Sequence, residues 1–174
     1  MNRKKEHFTL TTQFIFEKYY SLHSHIKPMT KTELSNAELL RYSRQILLPE
    51  WDIDAQLRLA NSRVLMIGAG GLGNPAAQVL IRAGLGFLRL VDFDDIEESN
   101  LQRQFLVQSA DVGLPKVDVA ARELQKISPW ANIEAANLKV DLNNLPQLLS
   151  DIDLVLDGSD NFSTRELINK ACVQ

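Results

Sequence analysis

Cysteine is almost absent from this sequence, which has one, Cys172, among 174 residues. A single cysteine excludes an internal disulfide and a cysteine-built zinc site within this chain. Positive charge is not in excess either, because the formal net charge is -3 at pH 7. Proteins whose main partner is nucleic acid normally present a basic surface, so this charge argues against that class.

Long apolar runs without helix-breaking residues are also missing. Residues 64–81 carry no charge and are numerous enough to cross a bilayer, but they contain a glycine cluster, Asn74 and Pro75. These residues argue against a membrane-spanning helix, so we expect no membrane partner. No small-residue cleavage site comes after the basic first residues, which makes a signal peptide a poor fit. The expected location is the cytoplasm.

The composition is ordinary for a globular protein, with 45% apolar and 24% charged residues. A chain of this length can bury the core of one domain. Residues 1–30 do not resemble the rest of the chain, and we predict a disordered or loosely attached extension there. A nucleotide-binding domain is predicted over residues 31–174, and we hypothesise that Met29 is the natural start.

The stretch from Arg63 to Asp92 organises the rest of the chain. A short apolar strand, residues 63–67, runs directly into the glycine-rich turn Gly-Ala-Gly-Gly-Leu-Gly of residues 68–73. A helix is predicted to follow and to end near Gly84 or Gly86, before a second strand that ends on Asp92. Strand, glycine turn, helix, strand and acid form the first half of a nucleotide-binding α/β unit.

The glycines and the acid each have a physical role in such a unit. Gly68 permits a tight turn off the strand, Gly70 lets backbone approach a phosphate, and Gly73 lets the helix lie close to the sheet. The amides at a helix start attract an anion. Asp92, at a strand end, is placed to accept ribose hydroxyls. The same glycine pattern also occurs by chance as a flexible turn, and this motif alone would favour a dinucleotide.

Capping signals and apolar patterns predict further elements. Two capping boxes are predicted, Ser35 with Glu38 and Ser99 with Gln102. The other predicted elements are a helix over 55–60 capped by Asp54, a helix that starts within residues 113–116 and runs to about Ile127, a weak strand over 133–140, a short helix over 145–149, a buried strand over 152–156, and a last helix capped by Ser163 and Glu166.

Polar side chains gather near several predicted strand ends. Helical spacing places Ser99, Asn100 and Arg103 on one face, although a plain surface arginine fits equally well. Lys116 lies in a first helical turn, where the dipole disfavours a cation. Either an anion shares that end, or the chain tolerates a small cost. Arg44 lies on a basic helix face for which simple solvation is the plainer explanation.

Strands alternating with helices predict an α/β fold: a Rossmann-like, doubly wound, mainly parallel sheet with helices on both faces. In such sheets ligands bind beyond the carboxyl ends of the strands. Residues 68–73, Asp92, Asp157 and Asp160 all come after predicted strand ends, so we expect them to converge on one crevice. The order of the strands is left open.

Taken together, the motifs resemble the ThiF/MoeB/HesA family, the bacterial relatives of ubiquitin-activating enzymes. The resemblance covers about Glu33 to Gln174 and rests on six segments in order. These are Arg41-Tyr42-Ser43-Arg44-Gln45, Gly68-Ala69-Gly70-Gly71-Leu72-Gly73, Asp92-Phe93-Asp94, Ser99-Asn100-Leu101-Gln102-Arg103-Gln104, Gly113-Leu114-Pro115-Lys116 and Asp157-Gly158-Ser159-Asp160-Asn161.

The resemblance implies an ATP-dependent adenylyltransferase. Its substrate would be the C-terminal glycine carboxylate of a small ubiquitin-like sulfur carrier ending in Gly-Gly, of the molybdopterin or thiamine pathway type. It further implies catalytic roles for Arg103, Lys116, Asp160 and Arg44, with Asp160 as the Mg²⁺ ligand and Arg44 reaching the ATP of the other subunit of a homodimer. The implied ATP contacts are Gly70, Gly71, Asp92, Ser99, Asn100, Leu101, Gln102, Arg103, Lys116, Asp160 and Asn161.

The chain departs from this family in length. Members continue beyond the last predicted helix, into a part that in many of them holds structural zinc with two C-x-x-C pairs. Those zinc ligands are absent here, and Cys172 is predicted to be a packed core residue. A truncated member is therefore expected. Two other hypotheses remain: a nicotinamide-dependent Rossmann oxidoreductase, based on the glycine turn and Asp92, and a non-catalytic nucleotide-binding module.

Overall fold

A computed structural model describes residues 30–173 of the chain. The predictions for residues 1–29, including the extension and the alternative start at Met29, lie outside the described residues. Residues 31–173 belong to one unit built around a sheet, and the helices and strands of this unit position the candidate site.

The sheet has four parallel strands. They are β1 (Arg63–Ile67), β2 (Phe87–Asp92), β3 (Asn132–Asn137) and β4 (Leu154–Asp157), in the spatial order β3-β2-β1-β4. The chain therefore adds strands outward on one side of β1 and then returns to its other side. Such a reversal is the topological switch point of a doubly wound sheet, and the predicted fold class is confirmed.

The helices alternate with the strands. They are α1 (Asn36–Ile46), α2 (Ile53–Asn61), α3 (Gly73–Ala83), α4 (Lys116–Ile127), α5 (Leu145–Leu149) and α6 (Phe162–Val173). Two 3₁₀ turns, Glu98–Asn100 and Ser109–Asp111, lie in the long connection between β2 and α4. Among the described residues no helix is both long enough and apolar enough to cross a membrane.

Both faces of the sheet are covered. On one face, Val64, Met66, Leu88 and Leu90 pack in a single cluster with apolar side chains of α3 and α4, among them Ala77, Ile81, Val117 and Leu124. On the opposite face, the fully buried Arg89 donates a hydrogen bond of 2.8 Å to the carbonyl of Leu148 in α5. Side chains that are buried on both faces explain why β1 and β2 are mostly apolar, with Arg89 as a buried charged exception.

Several local predictions are confirmed. Ser35 and Glu38 form the predicted capping box at the start of α1. The strand at 63–67 and the short helix over 145–149 have the predicted bounds, and the helix predicted to start within residues 113–116 and to end near Ile127 runs from Lys116 to Ile127. Helix α3 ends at Gly84, which adopts a left-handed φ of 106° as a helix terminator.

Other caps were predicted wrongly. Asp52, not Asp54, caps α2 by accepting from the amide of Ala55 at 2.7 Å. Asn161, rather than Ser163 with Glu166, fulfils this role for α6, because its Oδ1 accepts from the amide of Thr164 at 2.9 Å. In both cases the cap lies two residues earlier than predicted, since an equally good capping side chain begins the helix sooner.

Burial near the end of the chain also differs from prediction. The strand predicted as buried is β4, whose Leu154 is 52% exposed. It pairs with β1 alone within the described residues and forms an edge of the sheet. Cys172 is exposed rather than packed in the core, because α6 buries only Ile168.

Candidate active site

A crevice of about 470 Å³ lies beyond the carboxyl ends of the strands. Residues that come after each of the four strands line it, together with residues of the β2–α4 connection and the starts of α4 and α6. The predicted site residues that it brings together are Gly70, Gly71, Asp92, Arg103, Lys116, Asp160 and Asn161. The position at the switch point of the sheet is where this type of fold binds ligands.

The glycine turn is shaped by close backbone contacts. Gly68 has a φ of 94°, and a Cβ on Gly73 would lie 1.8 Å from the carbonyl oxygen of Gly68. These two glycines therefore set the tight turn and the close approach of α3, as predicted. A Cβ on Gly70 would meet nothing within 4 Å, so that position opens toward the crevice. Helix α3 has no side-chain cap at Leu72, which leaves first-turn amides for another acceptor.

Asp92 ties the end of β2 to the glycine turn. Its Oδ2 accepts from the amide of Ala69 at 2.7 Å, and its Oδ1 accepts from the amide of Asp94 at 2.9 Å. Each carboxylate oxygen has a second lone pair. The side chain is partly exposed in the crevice and can still accept a hydrogen bond from a hydroxyl group of a ligand.

Arg103 lies across the glycine turn. Its Nη1 donates to the carbonyl oxygen of Ser99 at 2.8 Å, and its Cδ would be 3.3 Å from a Cβ on Gly71. The missing side chain at Gly71 is therefore what allows the arginine to pack over the turn. The guanidinium has no carboxylate partner within residues 30–173, so its charge can be used by a bound anion.

Lys116 opens α4 and is only 8% exposed. Its Nζ lies 2.8 Å from Oδ2 of Asp94, and its backbone amide donates to the Asp94 carbonyl at 3.0 Å. Of the two explanations left open for a cation at this helix start, an anion that shares the end is the one observed, and it is a side chain of the same protein. Asp94 is itself half exposed, and both residues of the pair line the crevice.

The turn after β4 forms the opposite wall. Asp160 is exposed and lines the crevice, and Asn161 lines it while it caps α6. Asp157 is engaged elsewhere, because its Oδ1 accepts from the amide and the hydroxyl of Ser159 at 2.9 and 2.6 Å. Gly158 approaches the first glycine turn, and its Cβ would lie 3.1 Å from the Gly68 carbonyl oxygen.

Five of the predicted site residues lie outside the set that lines the crevice. Asn100 is buried and its Oδ1 accepts from the amide of Glu97 at 3.1 Å; these two residues form the capping box that was predicted wrongly for Ser99 and Gln102. Leu101 packs against Ile96 and its neighbours. The remaining three, Ser99, Gln102 and Arg44, are exposed, the last of them in the final turn of α1.

Sequence reasoning missed several lining residues. Gln104 is buried and its Oε1 has no hydrogen-bond partner within the described residues, while Arg165 projects from the first turn of α6. Leu138, Lys139 and Val140 line the crevice because β3 ends at Asn137, three residues earlier than predicted. Gln104 could have been found from its place directly after Arg103 in a family motif. No motif contained the other missed residues, which are Arg165, Leu138, Lys139 and Val140.

Charge in the crevice contrasts with that of the chain. The lining includes the cations Arg103, Lys116, Lys139 and Arg165 and the anions Asp92, Asp94 and Asp160. The crevice is thus slightly positive in a protein whose net charge is -3. Across the described part of the chain, no three histidine, cysteine or acidic side chains form a ready metal site. The arrangement suits a polyanion more than a free metal ion.

Comparison with known proteins assigns this arrangement to a family. A protein-family model described as the ThiF family matches residues 42–174. The molybdopterin-synthase adenylyltransferase of Escherichia coli (strain K12) is 48% identical over 140 residues, which are 80% of this chain and 56% of that protein. An adenylyltransferase and sulfurtransferase MOCS3 of Drosophila willistoni is 44% identical over 143 residues, covering 82% of this chain and 31% of that protein.

A solved structure shares the same architecture. The E. coli tRNA N6-threonylcarbamoyladenosine dehydratase TcdA in complex with ATP aligns with a TM-score of 0.75 and 27% identity, covering 80% of this chain and 57% of that one. The chain therefore spans between about a third and just over half of the length of these relatives.

Proposed function

The chain belongs to the ThiF family, and from this we propose that it adenylylates the C-terminal glycine carboxylate of a small ubiquitin-like sulfur-carrier protein, using ATP. Relatives named as adenylyltransferases, one of them for molybdopterin synthase, support this reaction class. The observation that carries the proposal is the crevice itself, where the glycine turn, Asp92, Arg103, Lys116 and Asp160 line one space.

The strand order suggests how ATP would lie in the crevice. Asp92 ends β2 and suits the ribose, so the base would lie toward the residues that come after β3. The phosphates would then pass over the glycine turn at the end of β1 and reach the turn at the end of β4. The first-turn amides of α3 and the positive end of its dipole favour that placement of the negative charge.

The chemistry needs few specialised groups. A C-terminal carboxylate is already ionised at neutral pH, so no general base is required. One carboxylate oxygen would form a bond to the α-phosphorus as the bond from that phosphorus to the pyrophosphate oxygen breaks, giving an acyl-adenylate. The obstacle is the approach of one anion to another, which Arg103 and Lys116 would relieve by stabilising charge on the phosphates.

Asp160 is the proposed Mg²⁺ ligand. Mg²⁺ is commonly bound through one or two carboxylates plus the phosphates of the substrate, which fits an exposed acid at the end of the crevice better than a preformed protein cage. When bound, the ion would neutralise phosphate charge. Asn161 and Gly70 to Gly71 are proposed to complete the nucleotide contacts on the two walls.

We propose a homodimer in which Arg44 of one subunit serves the ATP of the other. Arg44 does not line the crevice of its own chain, and it is exposed in the last turn of α1. Its side chain is therefore accessible to a second subunit. Arg44→Ala and Asp160→Ala should each be inactive, whereas mixed dimers should regain activity through one intact site. Mixed dimers that stay inactive would place Arg44 elsewhere.

Two alternatives account for fewer of the crevice residues. A nicotinamide-dependent oxidoreductase would leave Arg103, Lys116 and Asp160 without roles, although all three line the crevice. A non-catalytic module would bind ATP without turnover.

The proposal also includes the division of the chain and its location. We propose an N-terminal extension of residues 1–30, a nucleotide-binding domain from residue 31, and a cytoplasmic location.

Exchange of labelled pyrophosphate into ATP tests the function. The full chain is incubated with Mg²⁺, ATP, labelled pyrophosphate and a ubiquitin-like carrier ending in Gly-Gly. We expect exchange that depends on the carrier and is lost when the carrier lacks its terminal glycine. A folded protein that binds ATP but shows no carrier-dependent exchange would refute adenylylation and favour the non-catalytic module.

A further inference from the structure

Arg165 is a crevice residue to which the proposed function gives no role. It lies in the first turn of α6, and its side chain is 54% exposed. Its Nη2 donates to the carbonyl oxygen of Ser159 at 3.0 Å, and its Nε lies 4.0 Å from Oδ2 of Asp157. The first contact orients the guanidinium beside the turn after β4, while the second is too long for a hydrogen bond.

Most of the binding capacity of this arginine is unused. A guanidinium has five N–H donors in a planar fork, and within residues 30–173 only one of them makes a hydrogen bond. The helix dipole also disfavours a cation in a first turn, so the position does not stabilise α6. A partly exposed arginine that lines the crevice is therefore available to an anionic ligand.

The strand order indicates which anion it would meet. Arg103 and Lys116 belong to the connection after β2, on one side of the glycine turn, whereas Arg165 lies with Asp160 on the side after β4. If the ribose is at Asp92, Arg165 lies across the glycine turn from it, beside the path that the phosphates would take. An anionic second substrate that approached the phosphates from the β4 side would meet its guanidinium.

We propose that Arg165 binds the C-terminal carboxylate of the carrier protein and aligns it for attack on ATP. This inference rests on the proposed function and adds the residue that recognises the second substrate. The planar fork of arginine matches the two oxygens of a carboxylate, and such pairs are geometrically specific. Lys116 already holds a carboxylate at 2.8 Å, whereas the Asp157 carboxylate lies 4.0 Å from the Nε of Arg165, too far for a hydrogen bond.

A binding experiment isolates this contact from turnover. The carrier is prepared with a free C-terminal carboxylate and with a C-terminal amide, and both forms are titrated into the full chain with a non-hydrolysable ATP analogue and Mg²⁺ present. The wild-type protein should bind the acid about tenfold more tightly than the amide, the effect expected of a charged hydrogen-bonded pair. Arg165→Gln should bind the two forms alike.

Two further variants control the comparison. Arg165→Lys keeps the charge and loses the fork, so it should retain part of the preference. Arg82→Gln removes another exposed arginine, in the last turn of α3 and so at the far end of that helix from the crevice, and should leave the preference unchanged. Circular dichroism should show all variants folded, since both arginines are exposed.

The outcomes separate this inference from the proposed function. A wild-type protein without preference for the acid, or an Arg165→Gln protein that keeps it, would overturn the role of Arg165. Loss of affinity for the ATP analogue with the preference kept would assign Arg165 to the phosphates and overturn it equally. An acid preference that Arg165→Gln abolishes, in a protein without pyrophosphate exchange, would support Arg165 while refuting adenylylation.

Discussion

Exchanging either partner of the Lys116–Asp94 ion pair should separate stability from activity. Lys116 is 8% exposed, whereas the side chain of Asp94 is 50% exposed. Lys116→Met leaves behind a carboxylate that water can hydrate and removes a cation from a first helical turn, so the free energy of unfolding should fall by less than about 1 kcal/mol. Asp94→Asn leaves a mostly buried ammonium with a weaker partner and should cost about 1–3 kcal/mol.

Activity should show the opposite order. If Lys116 stabilises charge on the transferring phosphate, its loss should lower the exchange rate about 10²–10³-fold, corresponding to about 2.7–4 kcal/mol of the barrier. Asp94→Asn removes an anion from beside the phosphates and should change the rate far less. Urea unfolding and carrier-dependent pyrophosphate exchange measure the two quantities on the same preparations.

One result would refute this reasoning. Lys116→Met retaining wild-type exchange, in a protein that is less stable than Asp94→Asn, would show that the pair serves the fold and not the reaction. Lys116→Arg is a useful companion variant, because it keeps the charge but lengthens the side chain in a nearly closed space. It should recover stability better than activity.

Two further predictions concern the glycine turn and the ion pairs of Asp151. Gly73→Ala places a Cβ 1.8 Å from the Gly68 carbonyl oxygen and should lower the free energy of unfolding in urea by more than about 4 kcal/mol. Gly70→Ala meets nothing within 4 Å and should leave stability unchanged. Equal losses in the two variants would contradict the close approach at Gly73. Burial raises the pKa of Asp151, but the Arg89 and Arg63 guanidinium groups more than offset this and hold the pKa below its ordinary value of 3.8. A lowered pKa contributes stability that is present above about pH 4 and is lost as the pH falls through the folded-state value. The thermal midpoint of unfolding should therefore drop in acid, and it should drop less in Asp151→Asn. A midpoint that falls with pH as steeply in that variant as in the wild type would contradict the pairing.

The strongest sequence signals were those that depend on neighbouring residues. Gly68 and Gly73 were predicted correctly because a turn from a strand into a closely packed helix admits no side chain there. Ser35 with Glu38 was also predicted correctly, but the same three-residue spacing was misleading at Ser99 with Gln102 and at Ser163 with Glu166, so it is the weaker of these two signals. Such features need only local chemistry and the expected α/β frame.

Other errors arose where residues far apart in the chain come together. No partner was predicted for Asp94, yet it pairs with Lys116 twenty-two residues away. Cys172 was predicted to be a packed core residue, but it is exposed, because α6 comes after an edge strand and buries only Ile168. No local sequence pattern marks Arg165 as a crevice residue. Its place beside the crevice depends on the strand order β3-β2-β1-β4, which hydrophobic periodicity does not reveal.

A crystal structure with a non-hydrolysable ATP analogue and Mg²⁺ tests the central claim most directly. We predict the ribose at Asp92, the phosphates over Gly70 and Gly71 with Arg103 and Lys116 against them, and the ion beside Asp160. An analogue bound with full occupancy outside this crevice, or with its phosphates turned away from the glycine turn, would contradict the account.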